Sequence, residues 1–308
     1  MHVGFLTDGL GHLPLLEALD VVASLDLREI EFATGNWSNS PHLSLQDLLA
    51  SEEKRDALLS ATRARGLTIG ALNASGNVLH PISGPDHDRV VRDTMRLANF
   101  LGVKKIVMMS GLPAVFEGDK VTPWITTCWP PENGVNLELQ WKKAEEYWPG
   151  LVEFAKEQGI EKIAIEMHAD QLVFNAPTLL RLRSVAGAIV GANMDPSHLM
   201  WMGADPIKSV EMLKGAIHHV HAKDTRIEKL AAVRTTLETL FFDKIGERAW
   251  NYVTLGEGHP RGEAFWADFC NALRGSGYDG VLSIEHEDVA HTPVEGLTIA
   301  VDVLKRVI

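Results

Sequence analysis

Four short segments end in side chains that could share one chemical task. Residues 164–168 carry Glu166 and His168, and residues 193–198 carry Asp195 and His198. Residues 218–224 read His-His-Val-His-Ala-Lys-Asp and supply His219, His221 and Lys223; residues 283–288 supply Glu285, His286 and Glu287. Alternate residues of a strand share a face, so Glu166 lies with His168, and His219 with His221 and Lys223. The set Glu166, Asp195, His221 and Glu285 offers three carboxylates and one imidazole. Brought to one rim, these charges repel unless a cation sits among them. Oxygen-rich ligation with a single nitrogen suits one divalent ion, Mn²⁺ or Mg²⁺, with Co²⁺, Fe²⁺ or Zn²⁺ as substitutes. Any one of these residues taken singly is more often solvated or hydrogen-bonded than ligating. Four on consecutive segments reverse that balance.

The segments belong to an alternating pattern. Short apolar runs at 2–7, 28–34, 67–74, 104–111, 162–168, 189–195, 217–224 and 280–287 read as strands buried on both faces. Amphipathic stretches at 14–24, 52–65, 85–101, 139–158, 177–185, 206–213, 263–273 and 293–307 read as helices. Pro85, Pro177, Pro206 and Pro293 sit at helix starts, and Gly66, Gly102, Gly159, Gly187, Gly215 and Gly275 sit just past helix ends. Eight strand–helix pairs predict an α/β protein, a (β/α)8 TIM barrel forming one domain over 1–308. The rival is a doubly wound open sheet, but residues 8–14 hold only two of the three glycines of its phosphate-binding turn. Long insertions are expected at about 112–138, after strand four, and 225–262, after strand seven, the latter with an extra helix over 230–241. Both follow strand C-termini and so overhang the face where barrels place their sites.

The chain of 308 residues holds 29 basic and 41 acidic side chains, a net charge of −12. No basic excess exists to displace the counterions of a nucleic acid, so nucleic-acid binding is not expected. Cys128 and Cys270 are too few for a disulfide framework. The sequence shows no signal-peptide pattern and no membrane-length apolar run, so a cytoplasmic location without membrane attachment is expected.

The motifs Asp195-Pro196-Ser197-His198, His219-Val220-His221-Ala222-Lys223-Asp224 and Ser283-Ile284-Glu285-His286-Glu287 resemble the sugar phosphate isomerase/epimerase superfamily, the xylose isomerase-like TIM barrels. The resemblance runs over essentially the whole chain. It implies that Glu166, Asp195, His221 and Glu285 bind one divalent metal, usually Mn²⁺, and that Glu166 and Glu285 act as the acid/base pair. It also implies that His198 touches substrate. The implied reaction is proton abstraction α to the carbonyl of a sugar or keto-sugar, giving isomerisation or epimerisation. The chain is also similar to the large subunits of C-glycoside deglycosidases, lyases that cleave 3-oxo-glycosides by β-elimination together with a small β-rich partner subunit. In that reading His168 is a base, and Trp37, Trp124, Trp129 and Phe116 line an aromatic rim for the aglycone. Endonuclease IV has a similar barrel, but phosphodiester cleavage would require more metal ions, more histidines and a basic surface.

Further substrate contacts are expected from His80 after strand three, Trp37 after strand two, and Lys223 and Arg226 beyond His221. For each, the alternative is structural: a loop hydrogen bond for His80, packing for Trp37, a salt bridge for Lys223 and solvation for Arg226. Association as a homo-oligomer, or with the small second subunit, is expected from the resemblance.

Overall fold

A computed structural model describes residues 1–288 and 290–308, except the side chains of Leu230 and Ala231. The order of elements is β1 (His2–Leu6), α1 (Leu15–Ser24), β2 (Glu29–Ala33), α2 (Leu45–Ala50), α3 (Glu52–Arg63), β3 (Thr68–Asn73), α4 (Gly84–Leu101), β4 (Lys105–Met108), α5 (Glu132–Glu157), β5 (Lys162–Glu166), α6 (Ala176–Ala186) and β6 (Val190–Asn193). There follow α7 (Pro196–Trp201), α8 (Pro206–Met212), β7 (Ile217–His219), β8 (His221–Ala222), β9 (Asp224–Ile227), α9 (Lys229–Ala232), β10 (Trp250–Val253), α10 (Glu263–Gly275), β11 (Val281–Ile284) and α11 (Pro293–Val307).

Local signals set the helix ends. Asn175 and Thr178 form a reciprocal capping box at the start of α6, and Thr292 and Glu295 form another at the start of α11, each followed by a proline in the first turn. α4 ends on Gly102, whose φ of +73° is the left-handed stop that a glycine adopts without strain. The helices bury their apolar faces on strands whose own side chains are almost all inaccessible, such as Ile163, Ala164 and Ile165. His286 packs outward against α11, where a Cβ on Gly296 would lie 2.0 Å from its Cε1.

The strands run β7-β6-β5-β4-β3-β2-β1-β11-β8, all parallel. β7 and β8 are two halves of the seventh strand around Val220. The first half pairs with β6, and the second pairs with β11. Val220 makes the handover, accepting a hydrogen bond from Ser283 N at 2.9 Å. The ring thereby closes as the expected TIM barrel.

Three local readings differ from the sequence. α5 begins at Glu132, so the loop after β4 is shorter than the 112–138 stretch; Pro131 caps the helix and Asn133 ties back to the Trp129 carbonyl at 3.2 Å. Seventh-strand pairing stops at Ala222, and the chain turns into an antiparallel hairpin of β9 and β10. The expected helix over 230–241 is the single turn α9. Beyond it the Glu238 carboxylate accepts backbone N–H groups from Thr239, Leu240 and Ala249, and Thr235 Oγ1 accepts from Leu237 N. Those side-chain acceptors compete with helical hydrogen bonding.

Candidate metal centre

Glu166 closes β5, Asp195 follows β6, His221 opens β8 and Glu285 follows β11, so four neighbouring strands deliver them to the C-terminal rim. Each offers a ligand atom, and these atoms all lie within 4.8 Å of one another. Asp195 is also the N-cap of α7; its Oδ1 accepts Ser197 N at 2.7 Å, which leaves Oδ2 for the cluster. Asp195 Oδ2, His221 Nδ1 and Glu285 Oε2 are buried and, among the described residues, have no hydrogen-bond partner. His221 Nδ1 lies 2.9 Å from Glu285 Oε2 and 3.8 Å from Glu166 Oε1. Buried polar atoms are costly to orphan, and three converging ones fit a bound cation. The surrounding carboxylates also act on His221: burial alone would lower its pKa, but Glu31 and Glu285 hold it well above the ordinary imidazole range. A divalent ion competes with a proton for the same lone pair.

A carboxylate beneath the rim, absent from the sequence reading, orients His221. Glu31 on β2 is 2% exposed. Its Oε1 accepts Asn73 Nδ2 at 2.9 Å and His221 Nε2 at 3.1 Å; its Oε2 accepts His219 Nε2 at 2.7 Å and Ser283 Oγ at 3.0 Å. Burial opposes its ionisation, yet His221 and His219 override that and push the carboxyl well below its usual range. An ionised carboxylate only accepts, so His221 donates through Nε2 and presents Nδ1 to the cluster. A Glu between Ile30 and Phe32 fits a strand with one solvated face, and its partners lie up to 252 residues away, so no local signal marked it.

His198 is 2% exposed. Its Nε2 lies 3.0 Å from Glu166 Oε1 and 3.2 Å from Asp195 Oδ2, and its Nδ1 lies 2.9 Å from the Tyr252 hydroxyl. Burial works against its charge, but Asp195 and Glu166 raise its pKa to about 9. His168 stacks edge-on to it, ring centres 4.2 Å apart, and donates Nδ1–H to the Ala169 carbonyl at 2.6 Å. Burial first, then His198, lowers His168 to about 4. Trp37 is 52% exposed and 6.3 Å from His168, at the mouth. Lys223 Nζ contacts Glu285 Oε1 at 3.2 Å and Glu287 Oε2 at 2.6 Å.

Other residues singled out in the sequence are engaged elsewhere. His80 Nδ1 accepts Ile82 N and Ser83 N at 3.2 Å, ahead of α4. Arg226 pairs with Glu228 at 2.8 Å on the hairpin. Trp124 is partly buried and packs edge-on against Phe174, 5.5 Å away, while Phe116 and Trp129 are exposed. Besides Glu31, the sequence reading passed over Tyr252 and Asp8. Asp8 follows β1, accepts a hydrogen bond from Ser38 Oγ, and has a buried Oδ1 that is unpartnered among the described residues. Burial raises its pKa to about 6, reinforced by Glu285 and Glu31.

A parallel barrel with a carboxylate–imidazole cluster at its C-terminal rim is an enzyme-like architecture. The chain belongs to the xylose isomerase-like TIM barrel family, whose model matches residues 19–307. This places it in the superfamily that its strand-end motifs resemble. YfiH of Bacillus subtilis (strain 168), described as uncharacterized, is 46% identical over 313 residues, covering 100% of this chain and 99% of YfiH. An inosose dehydratase of Clostridium perfringens is 27% identical over 151 residues, 49% of this chain and 48% of that protein. Among solved structures, the probable 3-DHS dehydratase AsbF of Bacillus anthracis superposes with a TM-score of 0.70 at 16% identity, covering 99% of both chains. The IOLI protein, solved with a zinc atom, superposes at 0.68 and 20% identity, covering 100% of this chain and 99% of its own. At those identities the two structures establish the fold.

Proposed function

We propose that this protein is a divalent-metal-dependent enzyme that removes the proton α to the carbonyl of a sugar or keto-sugar, giving isomerisation or epimerisation. The observation that carries this reading is the convergence of four ligand atoms, three of them buried without a hydrogen-bond partner among the described residues. Mn²⁺, Mg²⁺, Co²⁺ or Zn²⁺ held by Glu166, Asp195, His221 and Glu285 would supply Lewis-acid polarisation of the carbonyl. Glu166 and Glu285 stand on strands five and eight, so one takes the α-proton and the other returns a proton from a different side. Lys223 holds one oxygen of Glu285, and His198 holds one of Glu166, so each carboxylate keeps a fixed orientation. His168, with Nδ1–H committed to a carbonyl, turns its Nε2 lone pair to accept a proton. Trp37 offers an exposed ring face for stacking on a sugar.

A second outcome of the same proton abstraction is elimination, and the dehydratase relative supports it. A 3-oxo-glycoside would lose its aglycone in this way. The exposed Phe116 and Trp129 give that reading an apolar rim that a small partner subunit would cover. The test is to incubate Mn²⁺-loaded protein in D₂O with keto-sugars, inososes and 3-oxo-glycosides and to follow each substrate by NMR. Deuterium at the α-carbon of a rearranged sugar is the expected result. Deuterium with release of water or aglycone selects elimination. No exchange in any substrate, in protein carrying one metal per chain, overturns both outcomes.

A further inference from the structure

The hairpin β9–β10 lies outside the barrel, yet one of its side chains reaches two sides of the candidate site. The Tyr252 hydroxyl is 2.9 Å from His198 Nδ1, and Lys223 Nζ sits 4.2 Å over the centre of its ring. His198 carries the first contact on to Glu166 and Asp195, and Lys223 carries the second on to Glu285. Tyr252 is thus one residue removed from three of the four candidate ligands. It is itself held in place: Trp250 lies 5.1 Å away, Phe242 stacks on it at 6.0 Å, and Trp250 stacks in turn on Trp201 at 4.7 Å.

We propose that Tyr252 is a positioning residue of the metal centre, its hydroxyl anchoring the His198 ring at Nδ1 and its ring seating Lys223 against Glu285. This rests on the metal-centre reading above. Carboxylate oxygens accept only, so His198 Nε2, 3.0 Å from Glu166 Oε1, carries a hydrogen. The phenol hydroxyl, able to donate or to accept, engages the other ring nitrogen at 2.9 Å. Without the hydroxyl, only the Nε2 side of the imidazole is held, and the ring is free to tilt its N–H off the line to Glu166. Groups that orient ligands from behind in this way typically change metal affinity about 10- to 100-fold when removed. The insertion would therefore act as part of the ligand frame, and loading of the metal would be coupled to docking of the hairpin.

The test uses the full chain with Mn²⁺ alone as the probe. Tyr252→Phe keeps the ring and removes the hydroxyl; Tyr252→Leu removes both. Mn²⁺ affinity is read by electron paramagnetic resonance. The setting of the His198 ring is read from its ¹⁵N shifts in Zn²⁺-loaded protein, and thermal unfolding is followed alongside. Tyr252→Phe is expected to bind Mn²⁺ about 10-fold more weakly and to shift the His198 Nε2 signal, with an unchanged unfolding midpoint. Tyr252→Leu is expected to be weaker again; if it does not fold, Tyr252→Phe decides alone. Tyr252→Phe with wild-type Mn²⁺ affinity and the wild-type His198 signature overturns the positioning role and leaves the metal centre standing. Wild-type protein that binds neither Mn²⁺ nor Zn²⁺ overturns both.

Discussion

Two carboxylate–imidazole clusters are stacked inside this barrel, and they share His221. The lower one, Glu31 with His219, His221, Asn73 and Ser283, gives each Glu31 oxygen two donors. The upper one, Glu166, Asp195, His221 and Glu285, has similar residue types but leaves Asp195 Oδ2, His221 Nδ1 and Glu285 Oε2 without hydrogen-bond partners among the described residues. Glu31, His219 and His221 also lie close enough to grip an ion. The Glu31 lone pairs, however, are already engaged by N–H and O–H groups, which marks that cluster as a brace. The difference teaches that proximity of acids and histidines does not define a metal site; unpaired atoms aimed at one point do.

The sharpest way to break this contrast is to remove one residue from each cluster. Asp195→Ala should abolish Mn²⁺ binding, measured by metal content after dialysis. Glu166→Gln should lower turnover by roughly 10³-fold, the scale of a lost acid–base group. Asp195→Ala protein that still carries one metal per chain would dissolve the distinction. Glu31→Ala should act chiefly on stability. It strands two imidazoles and two further donors, at about 3–5 kcal/mol in chemical unfolding. A Glu31→Ala protein as stable as wild type would show that the lower cluster braces nothing.

Asp8 sharpens the comparison through pH. Burial pushes its folded carboxyl up to about 6, above the ordinary aspartate range near 4, so the fold favours the protonated form. The stability that preference lends is complete below pH 4 and is lost as pH rises through 6. Metal-free Asp8→Asn should therefore be more stable than wild type at pH 7.5, by about 1–3 kcal/mol, with the gain gone at pH 4. An equal gain at both pH values would place the effect in packing. The smallest effect is expected at Arg226, whose ion pair with Glu228 is half exposed; Arg226→Ala should change unfolding by about 0.5 kcal/mol or less.

The sequence made the barrel legible because strand–helix alternation is local and repeated. The rim carboxylates were legible for the same reason, standing at equivalent places in consecutive repeats. Glu31 was hidden because its meaning lies in partners from strands three, seven and eight. Tyr252 was hidden because it sits in an insertion, where neither the repeat nor any hydrophobic period says which way a side chain faces. The misplaced helix over 230–241 has the same origin: Glu238 gathers distant backbone N–H groups that no helix propensity anticipates.

The closing seam of the barrel also sets an order on how the molecule can be made. β1 is the first strand of the barrel to be synthesised, but its neighbour on one side is β11, the last. Until residues 281–284 are synthesised, the first strand keeps an open edge and the second half of the seventh strand has no partner in the ring. Glu285, the last of the four rim ligands, arrives one residue after that strand ends. A nascent chain therefore gains its seam and its complete set of ligands within a few amino acids of each other, and chains made only as far as β10 hold neither.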